Sequence, residues 1–322
     1  MSNARRAAVA VVGAGSIGVA WAIVFARGGH AVRLQDPDAG RCQQAPGEIA
    51  QRLDALAAAG LLDEVPAALA DRITIHADLG EALAGVAHVQ ENAPERLDIK
   101  RELFADFARL APPDAVLASS SSAITASSFA PADSARSRCL VVHPGNPPFL
   151  IPVVELVPAP FTEISVVEQC RERLLGCGMR PVLVAREVEG FVFNRLQGAM
   201  LREAYCLVRD GVIGVEDLDT VVREGLGLRW GVIGPFETAD LNTRGGVASH
   251  AEKMGPAYAR MGAERGQHDP WTEALVARVA AERRSLLPLE QWPARVEWRD
   301  RALMALVAAK RTLPPFDPDE GP

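Results

Sequence analysis

The chain has 322 residues, of which 48% are hydrophobic and 23% charged, enough for about two domains with a sizeable core. Its formal net charge of −7 at pH 7 gives no electrostatic basis for binding nucleic acid or an anionic membrane. No apolar run approaches the roughly 18 residues of a transmembrane helix, and the N-terminal segment is too short and interrupted for a signal peptide.

The five cysteines are odd in number and include no C-x-x-C pair. This pattern argues against a disulfide framework and a zinc ribbon, and it favours a reducing compartment. We therefore expect a cytoplasmic protein without a metal site. Only Lys100, Lys253 and Lys310 among the 34 basic residues are lysines, so each is a candidate for a specific role.

Short apolar runs alternate with helical stretches from residue 7 to residue 190. Most runs are apolar without alternation, which is typical of strands covered on both faces. The order predicts βαβ units in a mostly parallel, Rossmann-type sheet, with the later, closely spaced strands antiparallel. The predicted strands are Ala8–Val12, Ala31–Gln35, Ile73–His76, Ala87–Gln90, Val116–Ser119, Cys139–Val142, Val153–Val157 and Pro181–Val184.

A helical pattern replaces the strand pattern from Phe191 onward. The apolar positions of Phe191–Arg209 recur with a period near 3.6 residues, which predicts the first helix of a second domain. We place the boundary near Glu189–Gly190, between an α/β domain (1–189) and a smaller all-α substrate and dimerisation domain (190–322). The proline-rich acidic tail (314–322) is predicted to be irregular.

The first predicted strand leads into a G-x-G-x-x-G motif and a helix that extends to about Arg27. The first glycine permits a tight turn, the second lets the backbone approach a pyrophosphate, and the third permits close helix packing. The helix N-terminus then offers unpaired N–H groups to the phosphates. This pattern assigns Gly13, Gly15, Ser16, Ile17 and Gly18 to a dinucleotide site.

The second predicted strand ends at Asp36, about 20 residues beyond the first glycine, where a ribose-binding acid is expected. With Asp38 beside it, Asp36 would repel a 2′-phosphate, which favours NAD over NADP. The structural alternative for Asp36 is an exposed turn residue after a strand.

His143 and Glu155 flank a loop with prolines at positions 144, 147, 148 and 152. Such a loop can return the chain and place the imidazole against the carboxylate, the pairing that fixes the tautomer of a general base. A surface turn with a capped histidine is the alternative. Glu155 argues against it, because an unpaired carboxylate inside an apolar run is costly to bury.

Further polar clusters complete a pattern that resembles the L-3-hydroxyacyl-CoA dehydrogenase superfamily. The resemblance covers most of the chain and is closer to its free-acid branch, the lambda-crystallin and L-gulonate 3-dehydrogenase group. Its motifs are Ser119-Ser-Ser-Ser122, His143-Pro-Gly-Asn146-Pro, Glu155, Gly190-Phe-Val-Phe-Asn194-Arg195, Gly225-Leu-Gly-Leu-Arg229-Trp, Gly234-Pro-Phe-Glu-Thr and Leu241-Asn242.

The resemblance implies catalytic roles. His143 would take the proton of a substrate 3-hydroxyl while hydride leaves C3 for NAD, and Glu155 would accept the other imidazole N–H. Ser122 and Asn194 would hydrogen-bond the substrate oxygen, and Asn146 would belong to the substrate site. The serines could instead form a flexible turn, and Asn194 could be a helix N-cap.

Glu95 and Lys100 match the family's E-x-x-x-x-K pattern, which resembles a contact pair near the nicotinamide end of the cofactor. An exposed ion pair on one helix face is the structural alternative. The scarcity of lysine favours the functional interpretation.

The substrate class depends on the charges of the segment from Asp38 to Asp78. Acyl-CoA enzymes of the family tend to carry a lysine-rich arm here, whereas this segment has no lysine and more acids than arginines. A small carboxylate needs a fixed cation, for which Arg229, in a predicted glycine-flanked turn, is the candidate and Arg244 the reserve. Gly145 replaces the family's common valine and is expected to enlarge the pocket.

These patterns predict an NAD-dependent dehydrogenase of a small L-3-hydroxy acid, with a gulonate-like sugar acid as the leading substrate and a homodimer implied by the resemblance. An L-3-hydroxyacyl-CoA dehydrogenase is the nearest alternative, and L-carnitine is another possible substrate. A catalytically silent NAD-binding structural protein is the alternative from a different class. The complete set of Ser122, His143, Glu155 and Asn194 argues against that last interpretation.

Overall fold

A computed structural model describes residues 6–231, 234–242, 246–266, 274, 285 and 288–312. The chain forms two compact units. Unit 1 comprises Met1–Arg195 and Glu297–Pro322, and unit 2 comprises Leu196–Val296. The domain boundary near Glu189–Gly190 stays a prediction.

Unit 1 is built on an eight-stranded sheet with strand order β3-β2-β1-β4-β5-β6-β7-β8. Each predicted strand is present, with ends within two residues of those expected. The α/β Rossmann-type class is therefore confirmed. The strands are β1 Arg6–Val12, β2 His30–Gln35, β3 Ile73–His76, β4 His88–Glu91, β5 Val116–Ser119, β6 Cys139–Pro144, β7 Val153–Pro158 and β8 Arg180–Leu183.

The sheet is mostly parallel and contains one antiparallel pair of strands. β6 and β7 are antiparallel, as predicted for closely spaced strands, but β8 is parallel to β7. The reason is that a helix, Ile164–Gly176, connects β7 to β8 and returns the chain to the opposite end of the sheet. The remaining neighbours in the sheet are parallel.

The helices of unit 1 cover both faces of the sheet. They are α1 Ser16–Arg27, α2 Ala39–Ala58, α3 Pro66–Ala70, α4 Leu79–Leu83, α5 Leu97–Leu110, α6 Ala126–Phe129 and α7 Ile164–Gly176, with a 3₁₀ turn at Ser134–Arg138.

The two faces of the sheet bury separate apolar clusters, which explains why the strands are apolar without alternation. Val9 and Val11 of β1 pack with α1 and α2, whereas Ala10 and Val12 pack on the opposite face with Phe104 and Phe107 of α5. Successive side chains of a strand point to opposite faces, so both sets must be apolar when helices cover both.

Among the described residues beyond β8, the helices are α8 Phe193–Arg209, α9 Val215–Thr220, α10 Gly227–Trp230, α11 Pro235–Leu241, α12 Gly246–Arg265 and α13 Trp292–Arg311, with a π-helical segment Val221–Leu226 and a 3₁₀ turn Leu289–Gln291. The turn predicted around Arg229 is therefore wrong. Gly227 has the right-handed helical values φ −66° and ψ −39°, and the π-helical segment leads directly into α10. Arg244 and the acidic tail lie outside the described residues.

In the described part of the chain, none of the helices combines the length and apolar character needed to span a bilayer. The five cysteines all have free thiols. Cys139 and Cys170 are buried in the core of unit 1, where burial raises the pKa of each thiol to about 12.

Replacing Phe25 by alanine is expected to destabilise unit 1 by about 3–5 kcal/mol, because the ring is fully buried and its removal leaves a cavity against Trp21 and His88. Urea unfolding followed by far-ultraviolet circular dichroism measures the change. Ile164→Ala, at a side chain that is 80% exposed, is the control and should change stability by less than about 0.5 kcal/mol. Equal effects of the two substitutions would contradict this description of the core.

Candidate active site

The glycine motif follows β1 at the carboxyl edge of the sheet. Gly13 has φ +94°, and its N–H donates to the carbonyl of Gln35 at 2.7 Å. A Cβ atom on Gly13 would lie 2.9 Å from the Asn92 carbonyl, and one on Gly18 only 1.7 Å from the Gly13 oxygen. A Cβ on Gly15 would meet nothing within 4 Å. The tight turn at Gly13 and the close packing at Gly18 are thus present as predicted. The backbone of Gly15 borders open space, which leaves room for a pyrophosphate.

Helix α1 begins at Ser16, directly after Gly15. Its first N–H groups have no carbonyl partner within the helix and can bind phosphate oxygens. Arg52 of α2 donates to the carbonyl of Ser16 at 2.9 Å and to its Oγ at 3.0 Å, which holds the N-terminal turn against α2. Ile17 is half-buried in the first turn.

Asp36 lies at the end of β2 and holds the glycine motif in place. Its Oδ2 accepts the N–H of Ala14 at 2.7 Å, and its Oδ1 accepts the N–H of Asp38 at 2.9 Å. Asp36, Asp38 and Asp78 line a cavity of about 830 Å³ beside the glycine motif. Carboxylates in this cavity can accept hydrogen bonds from ribose hydroxyl groups and would repel the charge of a 2′-phosphate. The half-buried, doubly bonded Asp36 is not the exposed turn residue of the alternative interpretation.

The antiparallel register of β6 and β7 places His143 directly opposite Glu155. The imidazole Nδ1 and the carboxylate Oε2 are 2.7 Å apart, and the two residues are 6% and 2% exposed. The pair is therefore a buried dyad and not a capped surface histidine. The rings of Phe191 and Phe193 lie beside the imidazole, with centroids 5.5 Å and 6.2 Å away.

The second oxygen of Glu155 binds the beginning of α8. Oε1 accepts the backbone N–H of Val192 at 2.8 Å and of Phe193 at 2.9 Å. Burial raises the pKa of this carboxyl, but the hydrogen bonds from His143, Phe193 and Val192 outweigh burial and lower its pKa below the ordinary value. Glu155 is therefore ionised at neutral pH.

Asn194 connects α8 to the serine motif. Its Nδ2 donates to the backbone carbonyl of Ser122 at 2.9 Å. Asn194 is inside α8, and its amide faces Ser122 rather than capping the helix, so the N-cap alternative is wrong. Glu155 binds the helix N-terminus instead. The Ser122 residue is exposed, which leaves its hydroxyl accessible.

We name residues 119–124, between β5 and α6, the serine loop. Glu95 Oε1 accepts the N–H groups of Ser122 and Ala123, each at 3.0 Å, and the Ser121 hydroxyl at 2.6 Å. Lys100 is 1% exposed, so the two residues do not form the exposed ion pair of the structural alternative. The serine loop is bonded at several points, which contradicts the flexible-turn alternative.

Glu91 is a polar residue of the site that the sequence patterns missed. It is fully buried at the end of β4, and Lys100 Nζ lies 3.0 Å and 2.9 Å from its two carboxylate oxygens. The signal that could have found it was a carboxylate at the carboxyl end of a buried strand, next to an otherwise rare lysine.

The other predicted substrate features are Asn146, Arg229 and Gly145. Asn146 is exposed in the β6–β7 loop. Arg229 is exposed on α10 in unit 2. The expectation that Gly145 enlarges the pocket is wrong, because a Cβ there would lie 2.4 Å from the Cγ2 atom of Ile151, which already occupies the space.

A dinucleotide fold with a buried histidine–carboxylate pair at the same sheet edge defines the class, an NAD-dependent dehydrogenase. Two family models match the chain: the NAD binding domain of 3-hydroxyacyl-CoA dehydrogenase over residues 8–188, and the C-terminal domain of the same enzyme over residues 190–286. The chain belongs to the 3-hydroxyacyl-CoA dehydrogenase family, and NAD is its cofactor.

Several relatives share nearly the full length. Lambda-crystallin from Oryctolagus cuniculus is 36% identical, over 98% of this chain and 100% of its own. L-carnitine dehydrogenase from Streptomyces griseus is 35% identical, over 95% of this chain and 90% of its own. The crystal structure of an NAD⁺-dependent 5-formyl-3-hydroxy-2-methylpyridine 4-carboxylic acid 5-dehydrogenase aligns with a TM-score of 0.81 and 28% identity, covering 95% of this chain and 99% of that chain. The family and these relatives indicate a dehydrogenase that acts on a 3-hydroxy group.

Asp36→Asn is expected to weaken NAD binding about tenfold and to reduce the preference for NAD over NADP, because one charged acceptor for the ribose hydroxyls is lost. Fluorescence titration with NADH and NADPH measures both effects. Asp54→Asn, at an exposed position of α2, is the matched control. Unchanged affinity for both cofactors would contradict the assignment.

Glu155→Gln should destabilise the protein at neutral pH, with a difference from wild type that shrinks in acid. A carboxyl with a lowered folded-state pKa stabilises the fold above its ordinary value of 4.5 and loses that contribution as pH falls through the lower folded value. Urea unfolding of both proteins at pH values on each side of 4.5 measures the difference. A pH-independent difference would argue against an ionised Glu155.

Proposed function

We propose that the protein oxidises the 3-hydroxyl of a small L-3-hydroxy acid, with His143 as the general base and a gulonate-like sugar acid as the leading substrate. The observation that carries the proposal is the buried contact of 2.7 Å between His143 and Glu155. A general base for alcohol oxidation needs an oriented imidazole whose positive charge is stabilised once it takes the proton.

The hydrogen bond decides which imidazole nitrogen acts. Because Glu155 is ionised and only accepts, Nδ1 of His143 must donate its proton to it. Nε2 is then the unprotonated nitrogen, able to take the proton of the substrate hydroxyl. NAD held by the glycine motif and Asp36 would supply the hydride acceptor for C3.

The substrate oxygen needs donors where negative charge develops. We assign this role to the exposed Ser122 hydroxyl and to the amide of Asn194, of which one N–H is already directed to the Ser122 carbonyl. That bond ties the Asn194 amide to the backbone of the serine loop, so the two side chains lie next to each other.

The preference for a free acid rests on the segment from Asp38 to Asp78. Each of its arginines has an internal partner: Arg41 is 3.0 Å from Glu48, Arg52 bonds Ser16, and Arg72 pairs with Glu64. An acyl-CoA carries several phosphate charges, and these arginines would have to give up their present bonds to bind them. This argues against the thioester alternative that the family name suggests.

The nature of the relatives supports the same substrate class. The similarity to lambda-crystallin extends over the whole chain, and the similarity to L-carnitine dehydrogenase points to another small 3-hydroxy acid. Carnitine carries a quaternary ammonium group, which is bound best by aromatic rings. Tryptophan and tyrosine rings bind such a cation better than phenylalanine rings, and the chain has five tryptophans and two tyrosines beside its ten phenylalanines, so we rank a sugar acid first.

We further propose Arg229 as the residue that binds the substrate carboxylate, because a guanidinium can bind both oxygens at once. Its exposed side chain on α10 is accessible to a ligand.

We also propose a homodimer. Leu196 is 64% exposed and Met200 38% exposed on α8, an apolar surface of unit 2 that a second copy could cover. Light scattering coupled to size exclusion measures the oligomeric state.

The proposal predicts NAD reduction with L-gulonate, weaker reduction with L-3-hydroxybutyrate and L-carnitine, and none with 3-hydroxybutyryl-CoA. His143→Ala should lower kcat at least about a thousandfold while the Kd for NADH stays within about twofold of wild type. Absorbance at the NADH band measures turnover, and NADH fluorescence measures binding.

Arg229→Gln tests the carboxylate contact and should raise KM for L-gulonate more than it lowers kcat. Arg223→Gln, at an exposed ion pair with Glu224 in the same unit, is its matched control. Turnover with the thioester alone would refute the free-acid proposal, and activity in His143→Ala would refute the assigned base. A wild-type protein that binds NADH but oxidises none of these compounds would favour the catalytically silent alternative.

A further inference from the structure

We propose that Arg52 of α2 is a positioning residue that joins the turn of the glycine motif to the loop after His143. Two neighbours on α2, Glu48 and Arg41, support it. The inference rests on the proposed function, in which His143 is the base. It concerns a charged cluster on α2 to which no step of the proposed reaction gives a role.

The guanidinium of Arg52 makes two hydrogen bonds with the first residue of α1. It donates to the carbonyl of Ser16 at 2.9 Å and to its Oγ atom at 3.0 Å. The planar guanidinium offers N–H groups in a fixed fork and can make both bonds at once, whereas an ammonium is a single point of charge. Because Oγ accepts this bond, the Ser16 hydroxyl keeps its own hydrogen for another acceptor, such as a phosphate oxygen of the cofactor.

Arg41 holds the other side of Gly15. Its Nη2 donates to the carbonyl of Ala14 at 2.5 Å, while the N–H of Ala14 donates to Asp36 at 2.7 Å. The residues on both sides of Gly15 are therefore bonded to charged side chains, and the backbone between them borders open space. A turn that binds phosphate through its N–H groups binds more tightly when those groups are already ordered. The two arginines supply this order.

Glu48 lies between the two guanidinium groups. Its Oε1 is 3.0 Å from Nη1 of Arg41, and its Oε2 is 3.8 Å from Nη2 of Arg52. Two cations that converge on one turn repel each other, and a carboxylate between them offsets this repulsion. The side chains of the three residues are 23–32% exposed, so water screens the charges and the main contribution of Glu48 is to orient the two arginines.

Arg52 also contacts the loop that follows His143. We name residues 145–152, between β6 and β7, the dyad loop. Cζ of Arg52 lies 5.7 Å from the centroid of the Phe149 ring, within the range of a cation–π interaction. Arg27, the last residue of α1, donates to the carbonyl of Phe149 at 3.1 Å. Phe149 is therefore held by α2 at its ring and by α1 at its backbone.

The dyad loop connects Phe149 to the base over a few residues. The N–H of Gly145, two residues after His143, donates to the carbonyl of Val153 at 3.0 Å, so the antiparallel pairing continues past the dyad. Leu150, next to Phe149, is 4% exposed and belongs to the core of unit 1. A displacement of Phe149 is therefore expected to shift the strand end that carries His143.

One guanidinium thus contacts both the residue that begins α1 and the loop of the base. Hydride transfer requires the cofactor and the base to lie at a set separation, and a small misplacement lowers the rate strongly. A residue bonded to both parts also couples them energetically, because order at one part favours order at the other. Arg52 is in a position to do this without contacting the reacting atoms.

The first test uses pairs of substitutions. Arg52→Met should raise the Kd for NADH about tenfold, because bonds from a charged donor are lost, and should lower kcat for L-gulonate about tenfold. Ser16→Ala should change mainly the Kd, and Phe149→Leu mainly kcat. Each of these two, combined with Arg52→Met, should be little worse than Arg52→Met alone, because both substitutions of a pair remove the same contact.

The second test is amide hydrogen exchange of the ligand-free protein, which needs no turnover. Arg52→Met should speed exchange about tenfold in the peptides that contain residues 13–20 and 145–151. Arg52→Lys keeps the charge but loses the fork, and it should show most of the same change. It also serves as the second variant if Arg52→Met is too unstable to study.

Arg72→Met is the matched control. Arg72 donates to the carbonyl of Ala26 at 2.9 Å, near the other end of α1, and pairs with Glu64. The substitution therefore removes a guanidinium that is bonded to the same helix and to a carboxylate but lies away from the glycine motif. It should leave the Kd for NADH, kcat and the exchange of both peptides unchanged.

Four outcomes decide the inference. Additive effects in the paired variants would show that Arg52 does not act through Ser16 and Phe149, and would overturn it. Unchanged exchange of residues 145–151 in Arg52→Met would do the same. Wild-type behaviour of Arg52→Lys would mean that charge alone matters and that positioning is wrong. An inactive wild type, together with faster exchange of both peptides in Arg52→Met, would refute the proposed function and still support the positioning role.

Discussion

The site depends on one carboxylate, that of Glu155, whose two oxygens have different partners. The antiparallel β6–β7 pairing places Glu155 opposite His143, and its Oε2 fixes the imidazole at 2.7 Å. Its Oε1 binds the first N–H groups of α8. A buried charge is tolerated only with such partners, so the position of the His143 imidazole and the start of α8 are set together. Asn194, one residue into α8, is positioned against Ser122 by the same constraint.

The parallel strands place the other loops of the site at one edge of the sheet, the edge where the strands end. The carboxyl ends of β1, β4, β5 and β6 lead respectively into the glycine motif, the segment with Glu95, the serine loop and the loop after His143. Open α/β sheets bind ligands at this edge because the loops there converge and the helix N-termini point towards it. The serine loop is bonded from one side by Glu95 and from the other by Asn194. In the proposed reaction, the loop that presents the Ser122 hydroxyl to the substrate is thereby held in place by the protein itself.

In the proposed function, the choice of substrate depends on charge rather than on the chemistry at C3. A base, its carboxylate and the substrate-oxygen donors suit the oxidation of any 3-hydroxyl, whatever group the carbon chain carries. The difference lies in which cations are available for the rest of the substrate. In this chain the arginines of α2 and its neighbours bind Glu48, Ser16 and Glu64. Their intramolecular bonds explain why we propose a small acid instead of a phosphate-bearing thioester.

The sequence by itself determined the strands, the glycine motif with Asp36 and the identity of the dyad residues, because these depend on local periodicity and on residue types with few alternatives. It could not determine that β8 is parallel to β7, that the Gly225–Arg229 segment is helical, or that Ile151 fills the space beside Gly145, since these depend on backbone conformation and packing that residue types alone do not specify. It predicted Glu95 and Lys100 as cofactor contacts and missed Glu91. Only the tertiary structure decided that Lys100 is buried between two carboxylates, because a residue's charge can be read locally but its partners are set by how the strands and helices pack.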